Sequence, residues 1–181
     1  KGGTVKSFDT SKALALPGVK RIEAISAGIA VIADHYWAAV QGRDALNIEW
    51  NTAGNETLSS ASIEAQFKAV IDKGLVERDD GDVEKSLAAA AKTLQAVYTV
   101  PYQAHVCMEP MNALARVTGN SCEVWTGTQN PLGFRYSVAD ALDMDVEQVE
   151  VTNFFMGGGF GRRSDPDTAI QAAKISRATG V

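Results

Sequence analysis

The densest concentration of residues suited to binding is FFMGGGFGRR, residues 154–163, in which four glycines and two arginines follow a strand-like run. Glycine gives up side-chain packing and costs backbone entropy, so this run indicates that something approaches the backbone closely. A phosphate, a cofactor or another segment of the chain would each meet that description. On these residues alone, a tight turn with close strand–helix packing is the favoured interpretation.

Two common nucleotide-binding motifs can be tested directly on this stretch. A strand, a glycine loop and a helix in succession is the order that holds anions at a helix N-terminus. Counted from Gly157, both the dinucleotide fingerprint G-x-G-x-x-G and the P-loop require glycine at position 162. The sequence has Arg162 there, and Arg163 where the P-loop has lysine. Both nucleotide motifs therefore fail.

The composition excludes several other classes of function. The chain of 181 residues is 45% hydrophobic and 22% charged, with a net charge of -5 and no basic stripe. Nucleic-acid surfaces are basic, so no nucleic-acid partner is expected. No apolar run is long enough to span a membrane. An ordinary globular composition of this length predicts one domain or two small ones.

The histidines and cysteines are too few for a metal site built from side chains. Only His35, His105, Cys107 and Cys122 are present, and their spacing matches no zinc motif. We therefore predict no protein metal ligand. His105 is expected to be structural, and both cysteines are expected to be free thiols. A single disulfide is the alternative, and a periplasmic location would favour it.

Hydrophobic periodicity and turn residues predict the elements that position these residues. The first region is predicted to run strand, strand, helix and strand, over 19–26, 29–34, 35–46 and 47–50. The polar, turn-rich stretch 51–60 is the best linker candidate. Helices are predicted over 60–73, 83–91, 131–142 and 167–179. Strands are predicted over 92–101 and 146–155, with a hairpin about residues 118–121.

Four segments together resemble the molybdenum-binding large subunit of the xanthine dehydrogenase and aldehyde oxidase family. In chain order they are GIAVIADHYWAAVQGRDALNIEW, PYQAHVCMEPMNALARV, CEVWTGTQNP and VEVTNFFMGGGFGRR. The combination of GGGFGRR with MEPMN is most similar to the branch that contains the beta subunits of isoquinoline 1-oxidoreductase and aldehyde dehydrogenase. The order and spacing of all four segments, rather than any one of them, carry the resemblance.

The resemblance implies an α+β fold made of parts of two domains. Residues 1–51 would be the C-terminal part of an α/β-hammerhead-like sheet-and-helix domain. Residues 52–181 would be the N-terminal part of a molybdopterin-binding domain, with a mixed sheet and flanking helices.

The resemblance also implies a reaction, a cofactor and partners. The full-length protein would oxidise aldehydes or hydroxylate N-heterocycles, with water as the source of oxygen. Its molybdenum would be held by a pterin, as a cytosine dinucleotide in bacteria. Iron–sulfur centres would lie on a partner subunit, and electrons could leave through a c-type cytochrome. The branch favours a periplasmic location, with the cytoplasm as the alternative.

Residue roles follow from the resemblance only where this sequence matches the family motif. Gln129 in TQNP matches the glutamine that hydrogen-bonds an oxygen ligand of molybdenum, and is the candidate catalytic residue. The candidate cofactor-binding residues are Gly158, Gly159, Phe160, Gly161 and Arg162. Arg162 and Arg163 add charge that suits a pyrophosphate, but pairing with Asp165 and Asp167 is the more common role for such arginines.

Other positions match less closely or carry no clear role. Gln103, His105 and Glu109 match a Q-x-H…E pattern, and for Glu109 a structural and a site-lining role are equally favoured. Ser164 stands where xanthine-type members have a substrate-contacting glutamate, which argues against purine recognition. The general base of the family, a glutamate near the end of a longer chain, would lie beyond Val181. The isolated chain is therefore expected to be inactive, and a non-catalytic α+β interaction module is the alternative hypothesis.

Overall fold

The computed structural model describes residues 2–26 and 28–181. The strands are β1 (Thr4–Asp9), β2 (Val19–Ile25), β3 (Gly28–Ala33), β4 (Asn47–Asn51), β5 (Leu114–Thr118), β6 (Ser121–Thr126) and β7 (Val149–Asn153). The α-helices are α1 (Ser11–Leu14), α2 (Tyr36–Ala45), α3 (Ser60–Val70), α4 (Val83–Ala89), α5 (Pro131–Ala141) and α6 (Asp167–Thr179). The predicted α+β class is confirmed. Within the described ranges, no helix has the length and apolar character needed to cross a membrane.

The chain divides into two compact units. The first contains the residues up to Ala53 together with Ala104–Val181, and the second contains Gly54–Gln103. The assignment of residues 1–51 and 52–181 to two family domains stays a prediction.

Two small antiparallel pairs build the N-terminal part of the first unit. β2 pairs with β3, and β1 pairs with β4. The predicted order of strand, strand, helix and strand is confirmed by β2, β3, α2 and β4. β1 and α1 were not predicted from the sequence, because β1 is exposed along most of its length and shows no apolar alternation.

The C-terminal part of the first unit contains the mixed sheet that the sequence predicts. β5 and β6 form an antiparallel hairpin, and β6 and β7 lie parallel. α5 and α6 pack on this sheet and bury a common core of ten residues: Ala115, Cys122, Val124, Phe134, Val138, Ala139, Leu142, Val149, Ala169 and Ala173. This core holds the two helices, and with them the loops that precede them.

The second unit contains α3 and α4 and buries no side chain fully. Side chains cap both helices: Ser59 accepts a hydrogen bond from the backbone N–H of Ser62, and Asp82 accepts one from that of Lys85. The strand predicted over 92–101 is wrong, because these residues form no strand. A strand needs a neighbouring strand for its backbone groups, and apolar alternation alone does not supply one.

Candidate functional site

The parallel pairing of β6 and β7 brings two loops to one edge of the sheet. The strands are in register up to Thr126 and Asn153, so both end at the same edge. The segment 127–130 leaves β6 there and enters α5, whose first turn is capped by Asn130. The segment 154–163, called here the glycine loop, leaves β7 at the same edge. Loops that follow parallel strands meet in this way, and ligands commonly bind there.

Gln129 lies directly against the glycine loop. Its side-chain Oε1 accepts a hydrogen bond of 3.0 Å from the backbone N–H of Gly161. A Cβ on Gly159 would lie only 2.6 Å from that same Oε1, so glycine is needed at this position for the amide to fit. Gln129 Nε2 has no hydrogen-bond partner among residues 2–26 and 28–181. Its acceptor is therefore occupied, while its donor remains available.

The glycine loop has an unusual backbone conformation. Gly158 and Gly161 have φ angles of 99° and 84°, which glycine adopts without steric cost. Phe160 between them has φ 49°, which is uncommon for a residue with a side chain. The Phe160 side chain is largely exposed. Strain of this kind persists where surrounding contacts fix the backbone, and it is frequent at functional sites.

The loop presents hydrogen-bond donors without acceptors. Within the described residues, the backbone N–H groups of Gly158, Gly159 and Phe160 have no acceptor. Together with Gln129 Nε2, they are unpaired donors in and against the glycine loop, called here the donor surface. The oxygen atoms of a pterin and the oxygen ligands of molybdenum are hydrogen-bond acceptors. The chemistry of these donors therefore fits a molybdenum–pterin cofactor. The predicted site residues Gln129, Gly158, Gly159, Phe160 and Gly161 thus lie together, but their cofactor roles stay predictions.

A third segment, residues 105–109, contacts the glycine loop and supports it. Glu109 accepts a hydrogen bond of 2.6 Å from the N–H of Gly157 at Oε2. Its own N–H donates to the Gly157 carbonyl. The pKa of Glu109 is lowered, mainly by the Gly157 N–H and further by Asn112 and Arg163. Glu109 is thus a structural partner of the loop, which the sequence left undecided.

His105 and Cys107 lie on the same segment and also contact the glycine loop. His105 Nδ1 hydrogen-bonds the carbonyl of Phe160, which agrees with the expected structural role, and that role stays a prediction. The thiol of Cys107 lies 3.5 Å from the carbonyl of Gly159. Cys107 and the buried Cys122 are both free, as predicted.

Arg163 is the residue whose role the sequence analysis missed. Its side chain is completely buried. The guanidinium donates to the carbonyls of Gly158 at 2.8 Å, Gly127 at 3.3 Å and Glu109 at 2.9 Å. It also lies 3.1 Å from the Glu109 carboxylate. The only available signal was the second arginine of GGGFGRR, but arginines at a helix entry are normally solvated, and nothing in the sequence showed that this one is buried.

Arg162 is engaged with an acidic residue, which is the role expected for arginines at this position. Its guanidinium donates to both oxygens of the Asp167 carboxylate, at 3.0 and 2.7 Å. This bidentate pair raises the pKa of Arg162, with Asp167 as its main cause. The side chain is therefore satisfied within the protein, and its contact with a cofactor stays a prediction. Gln103 lies in the second unit and Ser164 is exposed.

A family comparison matches most of this region. Residues 66–181 match the family described as "Molybdopterin cofactor-binding domain". That range contains Gln129, the glycine loop, the supporting segment 105–109 and Arg163.

Curated relatives align over almost the whole chain. A nicotinate dehydrogenase subunit of Pseudomonas putida is 32% identical over 98% of this chain and 15% of its own length. A membrane-bound aldehyde dehydrogenase of Gluconacetobacter polyoxogenes, named for pyrroloquinoline quinone, is 28% identical over 99% of the chain and 24% of its own length. The beta subunit of isoquinoline 1-oxidoreductase of Brevundimonas diminuta is 27% identical over 99% of the chain and 24% of its own length. The chain thus spans 15–24% of the length of these relatives.

Solved structures share the fold. Aldehyde oxidoreductase from Desulfovibrio gigas aligns with a TM-score of 0.72 at 18% identity, over 98% of this chain and 24% of that one. Quinoline 2-oxidoreductase from Pseudomonas putida 86 aligns with a TM-score of 0.69 at 19% identity, over 98% of this chain and 28% of that one. Together with the family match, these likenesses lead to one assignment. The chain belongs to the molybdopterin cofactor-binding domain family and is similar in sequence to molybdenum-binding subunits of the xanthine dehydrogenase type.

Proposed function

We propose that this chain is part of the large subunit of a molybdenum hydroxylase that acts on aldehydes or N-heterocycles. The observation that carries this proposal is the donor surface formed by Gln129 and the glycine loop, which lies within the matched range 66–181. Relatives named for nicotinate, aldehyde and isoquinoline substrates support the same reaction class. The loop would thus serve in two ways. Gly159 makes room for the Gln129 side chain, and the unpaired backbone N–H groups would donate to a ligand.

The bound cofactor would supply the oxidation of a carbon atom, with two electrons leaving and an oxygen entering from water. Gln129 would hold an oxygen acceptor of that group through Nε2, because its Oε1 is already fixed by the Gly161 N–H. A neutral amide donates without adding a titrating charge. The N–H groups of Gly158, Gly159 and Phe160 would stabilise negative charge beside it.

The finer features of the proposal rest on the likeness to the isoquinoline 1-oxidoreductase and aldehyde dehydrogenase branch. The cofactor would be the cytosine dinucleotide form of the pterin. A small subunit would carry the iron–sulfur centres, a c-type cytochrome could accept the electrons, and the complex would lie in the periplasm. Arg162 already gives two of its five N–H donors to Asp167, so a contact with a pyrophosphate would use the remaining donors. Mild acid hydrolysis that releases CMP, and fractionation of the host cells, test the nucleotide and the compartment.

The decisive experiment is a cofactor analysis of the full-length protein purified from its own host. We expect about one molybdenum per polypeptide by mass spectrometry, together with a fluorescent oxidised pterin after iodine treatment. The same extract should be assayed for pyrroloquinoline quinone, because one relative carries that name. Pyrroloquinoline quinone in place of molybdenum and pterin would overturn the proposal.

A variant of Gln129 tests the role of the donor surface. In the full-length enzyme, Gln129→Ala should lower kcat by about 100-fold, as removal of one preorganised donor commonly does, with a smaller effect on KM. Gln41→Ala, at an exposed position of α2, is the matched control and should behave as the wild type. Wild-type turnover in Gln129→Ala would remove this residue from the site.

The second candidate is a non-catalytic interaction module that kept the scaffold. It is distinguished by the same cofactor analysis. A full-length protein without metal, pterin or quinone, but with an unchanged fold, would favour the module over the enzyme.

A further inference from the structure

The support of the glycine loop follows a regular pattern along residues 105–109. Alternate residues face the loop: His105 contacts the Phe160 carbonyl, Cys107 the Gly159 carbonyl, and Glu109 the Gly157 N–H. The intervening residues, Val106 and Met108, are exposed. The contacts with the loop therefore come from every second residue of this segment.

Arg163 joins this support to the other loop at the sheet edge. Its side chain connects Gly158, Gly127 and Glu109 through their carbonyls. Its own carbonyl accepts hydrogen bonds from the Thr128 hydroxyl at 2.8 Å and the Gln129 N–H at 3.1 Å. One buried residue thus contacts all three segments that meet around the donor surface.

These contacts surround the hydrogen bond from the Gly161 N–H that orients the Gln129 side chain. The loop is held at Gly157 by Glu109 and at Gly158 by Arg163, and Gly161, the donor to Gln129 Oε1, follows within the same loop. The backbone of Gln129 is held separately by the carbonyl of Arg163. Both ends of the Gly161–Gln129 hydrogen bond are therefore fixed through Arg163, and one of them also through Glu109.

We propose that Arg163 and Glu109 are positioning residues that set the direction of the Gln129 amide through the glycine loop. The proposal rests on the proposed function of Gln129 and deepens it. Neither residue is a catalytic residue, since Arg163 is completely buried and Glu109 uses its carboxylate on Gly157, Asn112 and Arg163. Lysine cannot replace Arg163, because a compact ammonium lacks the planar fork that reaches three separate carbonyls.

The primary test is Glu109→Gln in the full-length protein, because this variant keeps the size of the side chain and one acceptor oxygen. Hydrogen exchange of the peptide that covers 157–163 should become about tenfold faster, while the exchange of the α5 and α6 core peptides is unchanged. Arg163→Lys should act in the same direction. The matched control is Arg116→Lys, which alters an exposed arginine paired with Glu123 in the same unit. It should leave the exchange of this peptide unchanged.

A double-mutant cycle then separates positioning from general stability. Glu109→Gln alone should lower kcat per bound molybdenum by about tenfold, the lower end of the effect of residues that orient a contacting group. In the Gln129→Ala background the same substitution should have less than about a twofold effect, because the amide that it positions is gone. If the decreases of kcat caused by the two substitutions multiply in the double variant, the proposal is overturned. Wild-type hydrogen exchange and wild-type turnover in Glu109→Gln would also overturn it.

The exchange measurement keeps this proposal distinguishable from the proposed function. If the wild-type protein contains no molybdenum or pterin, the proposed function fails, whereas the exchange of residues 157–163 still reports whether Glu109 and Arg163 fix the loop. Unchanged exchange in a molybdenum-loaded Glu109→Gln enzyme would overturn the positioning role alone.

Discussion

The Gly54–Gln103 unit and the mixed-sheet region of the first unit differ in what holds their helices. α5 and α6 cover a sheet and bury ten core residues with it. α3 and α4 begin at well-formed side-chain caps, but none of their side chains is fully buried. Local signals are thus enough to place a helix in either region. Only the region with contacts between distant parts of the sequence forms a candidate site.

The largest expected difference between the regions is in the free energy of unfolding. Phe134→Ala removes a completely buried ring between the sheet and α5 and should cost about 3–5 kcal/mol. Leu87→Ala in α4, at a largely exposed position, should cost less than about 0.5 kcal/mol. Chemical denaturation of the two variants of the full-length protein measures this difference. Equal costs would show that α4 is as well buried in the full-length protein as α5.

Glycine substitutions sharpen the comparison at the level of the site. Gly159→Ala places a Cβ 2.6 Å from Gln129 Oε1, so the flexible amide must move away. We expect a stability change of about 1 kcal/mol, the value of one hydrogen bond, but a loss of kcat close to that of Gln129→Ala. Gly74→Ala, in the Gly54–Gln103 unit, meets no atom within 4 Å and is the matched control. Normal turnover in Gly159→Ala would show that the amide direction is not needed.

The helix caps give a smaller, local effect. Asp82→Ala removes the acceptor of the Lys85 N–H and should destabilise α4 by about 1 kcal/mol. Hydrogen exchange should become faster in α4 and stay unchanged in α5 and α6. An effect that spreads to the mixed sheet would contradict the separation of the two regions.

The smallest expected effect is the pH dependence of a few amides in the glycine loop. The pKa of Glu109 is lowered from its ordinary value of 4.5, chiefly by the Gly157 N–H. Because the pKa of Glu109 is lowered in the folded state, its carboxylate stabilises the glycine loop fully above pH 4.5. This stabilisation is lost as the pH falls through the lowered pKa. Exchange of residues 157–163, corrected for its intrinsic pH dependence, should therefore rise on acidification in the wild type. Glu109→Gln should remove this dependence.

Much of the fold was predictable because its signals are local. The helices at 131–142 and 167–179 were predicted to within one residue of α5 and α6, from Pro131 at the start of one and Gly180 at the end of the other. The hairpin about 118–121 is confirmed by β5 and β6. The strand predicted over 92–101 was wrong, because apolar alternation describes the two faces of a segment but does not provide a neighbouring strand for its backbone groups.

The candidate site was predictable only in part. The resemblance named Gln129 and the loop from Gly158 to Arg162, and the structure places Gln129 against that loop. It could not assign Glu109, because a carboxylate before a proline suits both a loop and a site. It also gave no reason to place Arg163 in the interior, where it makes more polar contacts with the loops than any residue that was predicted.

By itself, the sequence determined most of the element order, the family and the identity of the residues around the glycine loop. Periodicity, caps and motifs are properties of neighbouring residues, so they can be read without a structure. The tertiary structure decided which side chains the glycines make room for and which charged side chains are buried. Gly157 and Gly159 make room for Glu109 and Gln129, which are 48 and 30 positions away along the chain. The parallel pairing of β6 with β7 is what brings Gln129 to the loop, because it ends both strands at one edge.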